Sequence, residues 1–385
     1  YNPTGKYQEY DILINLHTKK NYVGFDMYAQ EQDFIMPSGR NGKGKDFAYW
    51  ENTGLFNYMN NKWTFSAYAQ NVWQRNGSSK YSQKEYPLND LYETAIEQPR
   101  TSPTDFNTSK GVYGNISVDY RFNDRHAISV IANFKNIKST QRRYEYVLTQ
   151  SPIHEKPYLE THLSSQKTFP IYDYWSGVYY NGRNGLWNYS AMVNISDGKA
   201  KDYSQNSRSG GFELPDNRIT RGNYQAGDID VTRNTANGKW LFNFNYRIIN
   251  NRYKSYRLET GDILTDSRQF TNRATLTASY YPATNWSMKI SGGLQTTRYS
   301  TGSFNDTKIT PRVDISLSHN FTRKNWIRFY YNTNVNNPFL GNVTDYGQFT
   351  DSLMFEQGNR HLKPSPKHSA TLMFGLLNII RIHAN

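Results

Sequence analysis

The chain has 385 residues, a formal net charge of +13 from 45 Lys and Arg against 32 Asp and Glu, 16% aromatic residues and no cysteine. The lack of cysteine excludes a disulfide scaffold, a cysteine-ligated zinc or iron–sulfur centre and a cysteine nucleophile, and the aromatic content argues against intrinsic disorder. The most apolar stretch, Leu372 to Ile382, is much shorter than the roughly 20 residues of a membrane-spanning helix.

Apolar and polar residues alternate in five clear segments, and this period of two predicts β-strands with one apolar and one polar face. The alternation persists for about 9–12 residues, longer than an ordinary strand of about 5–6 and long enough for a tilted strand to cross a bilayer. The apolar members are, in chain order, Val112, Ile116, Val118, Tyr120 and Phe122; Trp187, Tyr189, Ala191, Val193 and Ile195; Trp240, Phe242, Phe244, Tyr246 and Ile248; Trp286, Met288, Ile290 and Leu294; and Ile309, Val313, Ile315 and Leu317.

Short Asn-rich segments between these strands predict tight turns, because Asn and Gly tolerate the positive φ that tight hairpins need. We predict turns on one rim at 60–62, 123–125, 181–186, 235–239, 282–285 and 322–325. Five of these turns are followed at once by a tryptophan, which predicts a ring of aromatic side chains at one membrane interface. The predicted girdle consists of Trp63, Trp187, Trp240, Trp286 and Trp326.

The connections at the opposite ends of the strands are long and polar. They are predicted at about 33–46, 75–110, 149–166, 197–222, 255–267, 299–307 and 336–366. Short turns at one end and long loops at the other are the arrangement of outer-membrane barrels. The turns imply about fourteen strands, so the predicted fold is all-β, an antiparallel up-and-down transmembrane β-barrel in the outer membrane of a Gram-negative bacterium.

Each strand is expected to turn its apolar face to lipid and its polar face to the lumen. The expected lipid-facing residues are Trp187, Phe242, Phe244, Ile290, Val313 and Ile315. The lumen candidates are Arg121, Arg247, Lys289, Arg312 and Asp314. Asp228 and Asp230 also share one face, which we interpret as polar lumen rather than as a catalytic carboxylate pair.

The two ends of the chain carry motifs of a known family. The start, YNPTGKYQEYDILINLHTKKN, with Asn2 and Pro3, resembles the end of the plug domain of TonB-dependent outer-membrane receptors. The segment GNRHLKPSPKHSATLMF resembles the "GNP-x-LKPE" segment of the same receptors. It matches at Gly358, Asn359, Leu362, Lys363 and Pro364 and departs from the family pattern at Arg360 and Ser365.

The resemblance implies a barrel of twenty-two strands, of which about fourteen would be present here. Residues 1–20 would then be the C-terminal end of the plug domain, and residues 21–385 a C-terminally incomplete barrel, a fragment whose first and last strands carry unpaired edges. It also implies that external loops capture a scarce ligand (a siderophore, glycan, peptide or cobalamin). The TonB complex, acting through the missing N-terminal part, would then drive transport into the periplasm.

Other functions are less well supported by the residues. No catalytic residue, cofactor site or metal site is expected, because the histidines lack metal-ligand spacing and no nucleophile elbow occurs. The basic excess is spread along the chain, which disfavours nucleic acid and suits outer-membrane lipid and the phosphates of lipopolysaccharide as partners. Two alternatives stay open: an outer-membrane barrel with an adhesive or assembly role and no transport, and a soluble all-β glycan-binding protein.

Overall fold

A computed structural model describes residues 23–36, 47–76, 81–86, 91–97, 107–150, 158–208, 212–322, 325–349, 355–376 and 380–384. The predicted plug remnant, residues 1–20, lies outside the described residues, and Asn2 and Pro3 lie there with it.

The strands are β1 Gly24–Met36, β2 Phe47–Met59, β3 Trp63–Asn76, β4 Tyr81–Tyr86, β5 Leu91–Glu97, β6 Asn107–Asn123, β7 His126–Gln150, β8 Tyr158–Asn184, β9 Trp187–Arg208, β10 Phe212–Asn234, β11 Trp240–Arg257, β12 Ile263–Tyr280, β13 Trp286–Thr301, β14 Phe304–Asn320, β15 Trp326–Asn336, β16 Gly347–Phe349, β17 Phe355–Gln357, β18 Ser365–Leu376 and β19 Ile380–Ala384. Within this part of the chain, no α-helix has the length and apolar character of a membrane span.

The long strands pair antiparallel with their neighbours in sequence order, as predicted. All six predicted turns connect consecutive strands. The Asn60 side chain closes the first turn, accepting hydrogen bonds from the backbone N–H of Lys62 and of Trp63 at 2.9 and 2.8 Å. Gly185 and Gly238 adopt φ values of 57° and 68° in two others. The turn positions could be read from the sequence because few residues tolerate this backbone conformation.

Fourteen strands form the wall: β1–β3, β6–β15 and β18. A part of a twenty-two-stranded barrel, as the family resemblance implied, is not supported. The hairpin of β4 and β5 extends the sheet beyond β3 and pairs with the far end of β7. The prediction that the last strand has an unpaired edge near Ser369–Phe374 is wrong for part of that strand. β19 pairs with β18 at Leu372–Leu376. Among the described residues, β1 has a ladder partner on one side only, β2.

The predicted loop 75–110 contains the β4–β5 hairpin, and four other predicted loops are in large part strands. Residues 255–267 leave only 258–262 between β11 and β12, and residues 299–307 leave only 302–303 between β13 and β14. The segment 149–166 contains the end of β7 and the start of β8, and 197–222 contains the end of β9 and the start of β10. β8 has 27 residues, or roughly 90 Å at about 3.3 Å per residue, which extends well beyond a bilayer. The sequence does not alternate in these extensions, although the backbone ladder continues through them.

Candidate functional site: the polar inner wall

The two faces of the wall differ sharply in exposure. On β12, Ser267, Gln269 and Thr271 are 0%, 6% and 4% exposed, whereas Leu276 on the opposite face is 65% exposed. Apolar side chains on that opposite face are exposed on most of the wall strands. An uncovered apolar surface of this extent is stable against lipid rather than water. The buried polar face is therefore the inner wall, and the apolar face is the lipid belt.

The predicted lipid-facing residues lie on the apolar face. Trp187, Phe242, Phe244, Ile290 and Val313 are 44%, 47%, 41%, 58% and 38% exposed, and Ile315 is half-buried. This surface is incompatible with a soluble glycan-binding protein, because water would have to solvate a continuous apolar belt.

The lumen candidates lie on the inner face, but the structure does not bring all of them together. Arg121 and Lys289 are exposed near the short-turn rim. Arg247, Arg312 and Asp314 are half-buried and farther up the wall. We therefore place the candidate site at the upper level, around Arg247 and Arg312.

A third arginine, Arg273, completes an arginine cluster with Arg247 and Arg312. Arg273 lies directly opposite Arg247 in the β11–β12 ladder. Its guanidinium donates to Asn245 Oδ1 at 3.5 Å, and that of Arg312 donates to Gln295 Oε1 at 3.2 Å. Arg273 is not among the lumen candidates predicted from the sequence, although the polar residues Arg273, Thr275, Thr277 and Ser279 alternate along β12.

The three cations of the arginine cluster face two carboxylates of the inner wall, Asp228 and Asp314. Arg247 Nε lies 3.9 Å from Asp228 Oδ2, and Arg247 Nη2 donates to the Tyr224 hydroxyl at 3.4 Å. The Nε atoms of Arg247 and Arg273 are buried without a hydrogen-bond partner. Buried donors of this kind are costly unless something compensates them. With three cations against two carboxylates, the cluster keeps a net positive charge.

The two carboxylates Asp228 and Asp230 also lie on the inner face. Asp228 accepts a hydrogen bond from Asn245 Nδ2 at 2.9 Å, and Asp230 accepts one from Asn243 Nδ2 at 2.8 Å. Each carboxylate is thus fixed by an amide on the neighbouring strand. In the part of the chain that the structure describes, no three His, Asp or Glu side chains come close enough together to hold a metal ion.

A long connection between β15 and β18 folds onto the inner wall; we call residues 337–349 and 355–364 the inner segment. Its short 3-10 helix, Leu340–Asn342, is followed by Val343, whose carbonyl oxygen accepts hydrogen bonds from Ser267 Oγ and Thr301 Oγ1 at 2.6 and 2.9 Å. Leu340 and Val343 are 3% and 1% exposed. The inner segment therefore covers the upper part of β12 and β13.

The family-motif residues close the inner segment. Asn359 N–H donates to Asn342 O at 2.9 Å, and Lys363 Nζ lies 3.3 Å from Asp306 Oδ2 on β14. Lys308 Nζ donates to the Pro364 carbonyl at 2.7 Å. Gly358 lies against Thr344, and the Leu362 N–H donates back to Asn359 O. These residues thus have a structural role in holding the inner segment against the wall.

All five predicted girdle tryptophans begin a strand at the short-turn rim. Three of them contact an aromatic ring on the adjacent strand: Trp63 with Tyr120, Trp240 with Tyr280 and Trp286 with His319, at centroid distances of 4.4, 4.3 and 4.0 Å. Trp187 contacts Arg233 at 5.1 Å. Trp326 contacts Arg328 at 4.8 Å, but it lies opposite Asn320 in the β14–β15 ladder, on the inner face that also carries Asp314. The outward-facing girdle therefore consists of the other four tryptophans. Amphipathic aromatics at one level are typical of a membrane interface.

Neither a protein-family model nor a curated protein matches the chain. Among solved structures, the chain is similar to the toluene transporter TbuX of Ralstonia pickettii, with 9% identity over 81% of this chain and 82% of that one and a TM-score of 0.29. It is also similar to the monoaromatic hydrocarbon channel CymD, with 10% identity, the same coverages and a TM-score of 0.29. A mutant of the monoaromatic hydrocarbon channel TodX has 9% identity over 92% and 89% of the two chains and a TM-score of 0.33.

The prediction of a plug-bearing TonB-dependent receptor is wrong. No model of that family matches the chain, and the similar solved structures are described as hydrocarbon channels and toluene transporters. The role assigned to TonB depended on that resemblance alone. The short motifs misled because a Gly-Asn turn followed by Leu-Lys-Pro serves a local structural purpose here. At such identities and TM-scores, the likeness says nothing about what this chain transports.

The chain lies in the outer membrane of a Gram-negative bacterium. The wall is antiparallel and up-and-down, its outer face carries an exposed apolar belt, and its short-turn rim carries an aromatic girdle. Tilted strands with apolar outer and polar inner faces are the arrangement of outer-membrane barrels.

Proposed function

We propose that the chain forms an outer-membrane β-barrel transporter and that its arginine cluster binds small anionic solutes on their way along the inner wall. The observation that supports this most directly is the grouping of Arg247, Arg273 and Arg312 on the inner face, where three cations meet two carboxylates, Asp228 and Asp314. Cationic groups in a wall of low dielectric attract anions more strongly than in open water. Rings of Arg and Lys are how anion-conducting pores achieve selectivity.

The remaining inner wall suits a transport role because its groups are polar but mostly neutral. Ser291, Gln295, Thr297 and Thr310 lie on this face and are 2–6% exposed. These buried hydroxyl and amide groups keep the surroundings of the arginine cluster polar without adding a counter-charge that would neutralise it. We assign no bond chemistry to the chain, because its paired carboxylates are held by Asn243 and Asn245.

The test measures ion selectivity of the purified full chain in planar bilayers under a KCl gradient. The triple variant Arg247→Gln, Arg273→Gln, Arg312→Gln should lose most of the wild-type preference for chloride over potassium. Arg298→Gln, which removes a charge from the exposed outer face of β13, is the control and should keep the wild-type preference.

Two outcomes would contradict the proposal in different ways. Unchanged selectivity in the triple variant would show that the arginine cluster does not act on solutes. No conductance and no solute uptake by vesicles that contain the folded wild type would refute transport itself. That second result would favour an adhesive or assembly role.

A further inference from the structure

A second basic cluster lies on the outer face of the wall, directly above the lipid belt. Along β11, the outward-facing positions run from Trp240, Phe242 and Phe244 through Ile248 to Arg252 and beyond. Side chains at every second position share a face. The apolar face of β11 therefore becomes basic without changing sides of the wall.

The neighbouring strands contribute to the same surface. The register places Asn223 of β10 opposite Arg252 and Arg221 opposite Lys254. Arg268 of β12 also lies opposite Arg252. Together with Asn250 and Tyr256, these side chains line a cavity of about 360 Å³. We call Arg221, Arg252, Lys254 and Arg268 the outer basic cluster.

The height of the outer basic cluster corresponds to a membrane surface. Arg252 follows the girdle residue Trp240 by 12 residues on β11, which is about 40 Å of strand at roughly 3.3 Å per residue. At a strand tilt of about 35–45° this rises about 30 Å, just above an apolar band about 25 Å tall. The cluster is therefore level with the headgroups of the leaflet opposite the short-turn rim, which is the outer leaflet.

Two carboxylates orient the cations without neutralising them. Arg221 makes a two-pronged contact with Asp197, at 3.2 and 2.8 Å, and Arg252 makes one with Asp266, at 2.9 and 2.7 Å. Lys254 and Arg268 lie 3.8 and 4.0 Å from Asp266. Four cations thus share two carboxylates, and the cluster keeps a net positive charge.

The side chains remain available to a ligand. Arg221 and Arg268 are 48% and 55% exposed at their side chains. Lys254 Nζ lies 4.9 Å from the centre of the Tyr256 ring, which holds the ammonium group at the cavity. Asp266 lies above the lipid belt, and its hydrogen bonds from Arg252 hold the pKa of its carboxyl below the ordinary value, so it keeps its orienting charge.

We propose that the outer basic cluster binds the phosphate groups of a phosphorylated glycolipid of the outer leaflet. Guanidinium groups match phosphate oxygens in pairs, and ammonium groups add point charges. Asn223, Asn250 and Tyr256 offer the amide and phenol groups that would contact the sugar hydroxyls beside the phosphates. Binding at this site depends on the position of the cluster relative to the lipid belt and not on transport.

The test compares lipid binding by the full chain in detergent, with purified lipopolysaccharide as the probe. The variant Lys254→Gln, Arg268→Gln removes the two cations that touch Asp266 least closely and leaves the Arg252–Asp266 and Arg221–Asp197 pairs intact. Its affinity should fall at least about tenfold, the change that about 1.4 kcal/mol produces. The matched control, Lys62→Gln, Lys239→Gln, removes the same charge from the opposite rim and should bind like the wild type.

Two further probes identify the chemical source of the phosphate. Enzymatically dephosphorylated lipopolysaccharide should bind weakly to the wild type, and inorganic phosphate should not displace the intact glycolipid at millimolar concentration. Equal binding by the variant and the wild type would overturn the proposal, as would full binding of the dephosphorylated lipid. Displacement by inorganic phosphate alone would instead indicate a free-anion site. Circular dichroism of each variant confirms that a loss of binding is not a loss of fold.

Discussion

Ser267 Oγ donates a hydrogen bond of 2.6 Å to the carbonyl oxygen of Val343, although 76 residues separate the two in the chain. Ser267 is fully buried on β12, and Val343 in the inner segment is 1% exposed. Thr301 on β13 donates to the same oxygen. One carbonyl group thus connects the inner segment to two strands of the wall.

This connection predicts that Ser267→Ala combined with Thr301→Ala releases the inner segment. Each lost hydrogen bond to the buried carbonyl should cost about 1 kcal/mol. We expect faster cleavage by a soluble protease within residues 339–349, while the wall keeps its resistance. Thr296→Ala, on the outer face of β13, is the control, and cleavage of both variants at the wild-type rate would argue against an anchored segment.

A side chain at position 358 is predicted to clash with another part of the inner segment. A Cβ at this position would lie 2.5 Å from Thr344 Cγ2 and 2.6 Å from the Thr344 carbonyl oxygen, so Gly358→Ala must push two parts of the segment apart. Overpacking of this kind costs about 1–3 kcal/mol. Gly227→Ala is the matched control, because nothing lies within 4 Å of a Cβ there. The measurement is urea unfolding in lipid vesicles. A midpoint as low for Gly227→Ala as for Gly358→Ala would point to lost glycine flexibility instead.

Adjacent residues on β11 test the orientation of the wall. Phe244 is exposed on the outer face, and Asn245 lies on the inner face beside Asp228. Phe244→Arg should destabilise the membrane-inserted state by about 2–4 kcal/mol, because it places a charge in the lipid belt. Asn245→Arg places its charge on the polar inner face and should therefore impair insertion less than Phe244→Arg. The readout is the fraction of heat-resistant folded protein in vesicles, and equal fractions for the two variants would contradict the assignment of faces.

The aromatic girdle predicts a graded effect at Trp240. Its ring stacks on Tyr280 at a centroid distance of 4.3 Å and an interplanar angle of 27°. Trp240→Ala should therefore destabilise the folded barrel by at least the roughly 0.5–1.5 kcal/mol of an aromatic pair, in addition to lost interfacial anchoring. Trp240→Phe should retain most of the stacking. If thermal unfolding in vesicles showed the Phe variant to be as unstable as the Ala variant, the indole N–H rather than the stack would be the main contribution.

The sequence alone was sufficient to predict the strands, turns and faces that repeat along this protein. Alternation such as Phe242, Phe244 and Tyr246 reports on two environments, lipid and water, that lie on opposite sides of a strand, and turns such as Asn237-Gly238 need backbone conformations that few residues adopt. Both signals are local. For that reason the turns and the strand order could be predicted from residues close together in the chain, and the assignment of faces could be made from the same signal.

The tertiary structure decided what depends on distant contacts. The polar extensions of β7–β10 lack alternation and are therefore predicted as loops, whereas the ladders between neighbouring strands continue through them. The position of Arg273 opposite Arg247 depends on the register between β11 and β12, and the outer basic cluster depends on three adjacent strands. The motif at Gly358–Pro364 was read as a family signature, whereas its contacts with Asp306, Lys308 and Thr344 show a local structural role. Register and long-range packing are properties of the assembled wall, and no single segment of the sequence encodes them.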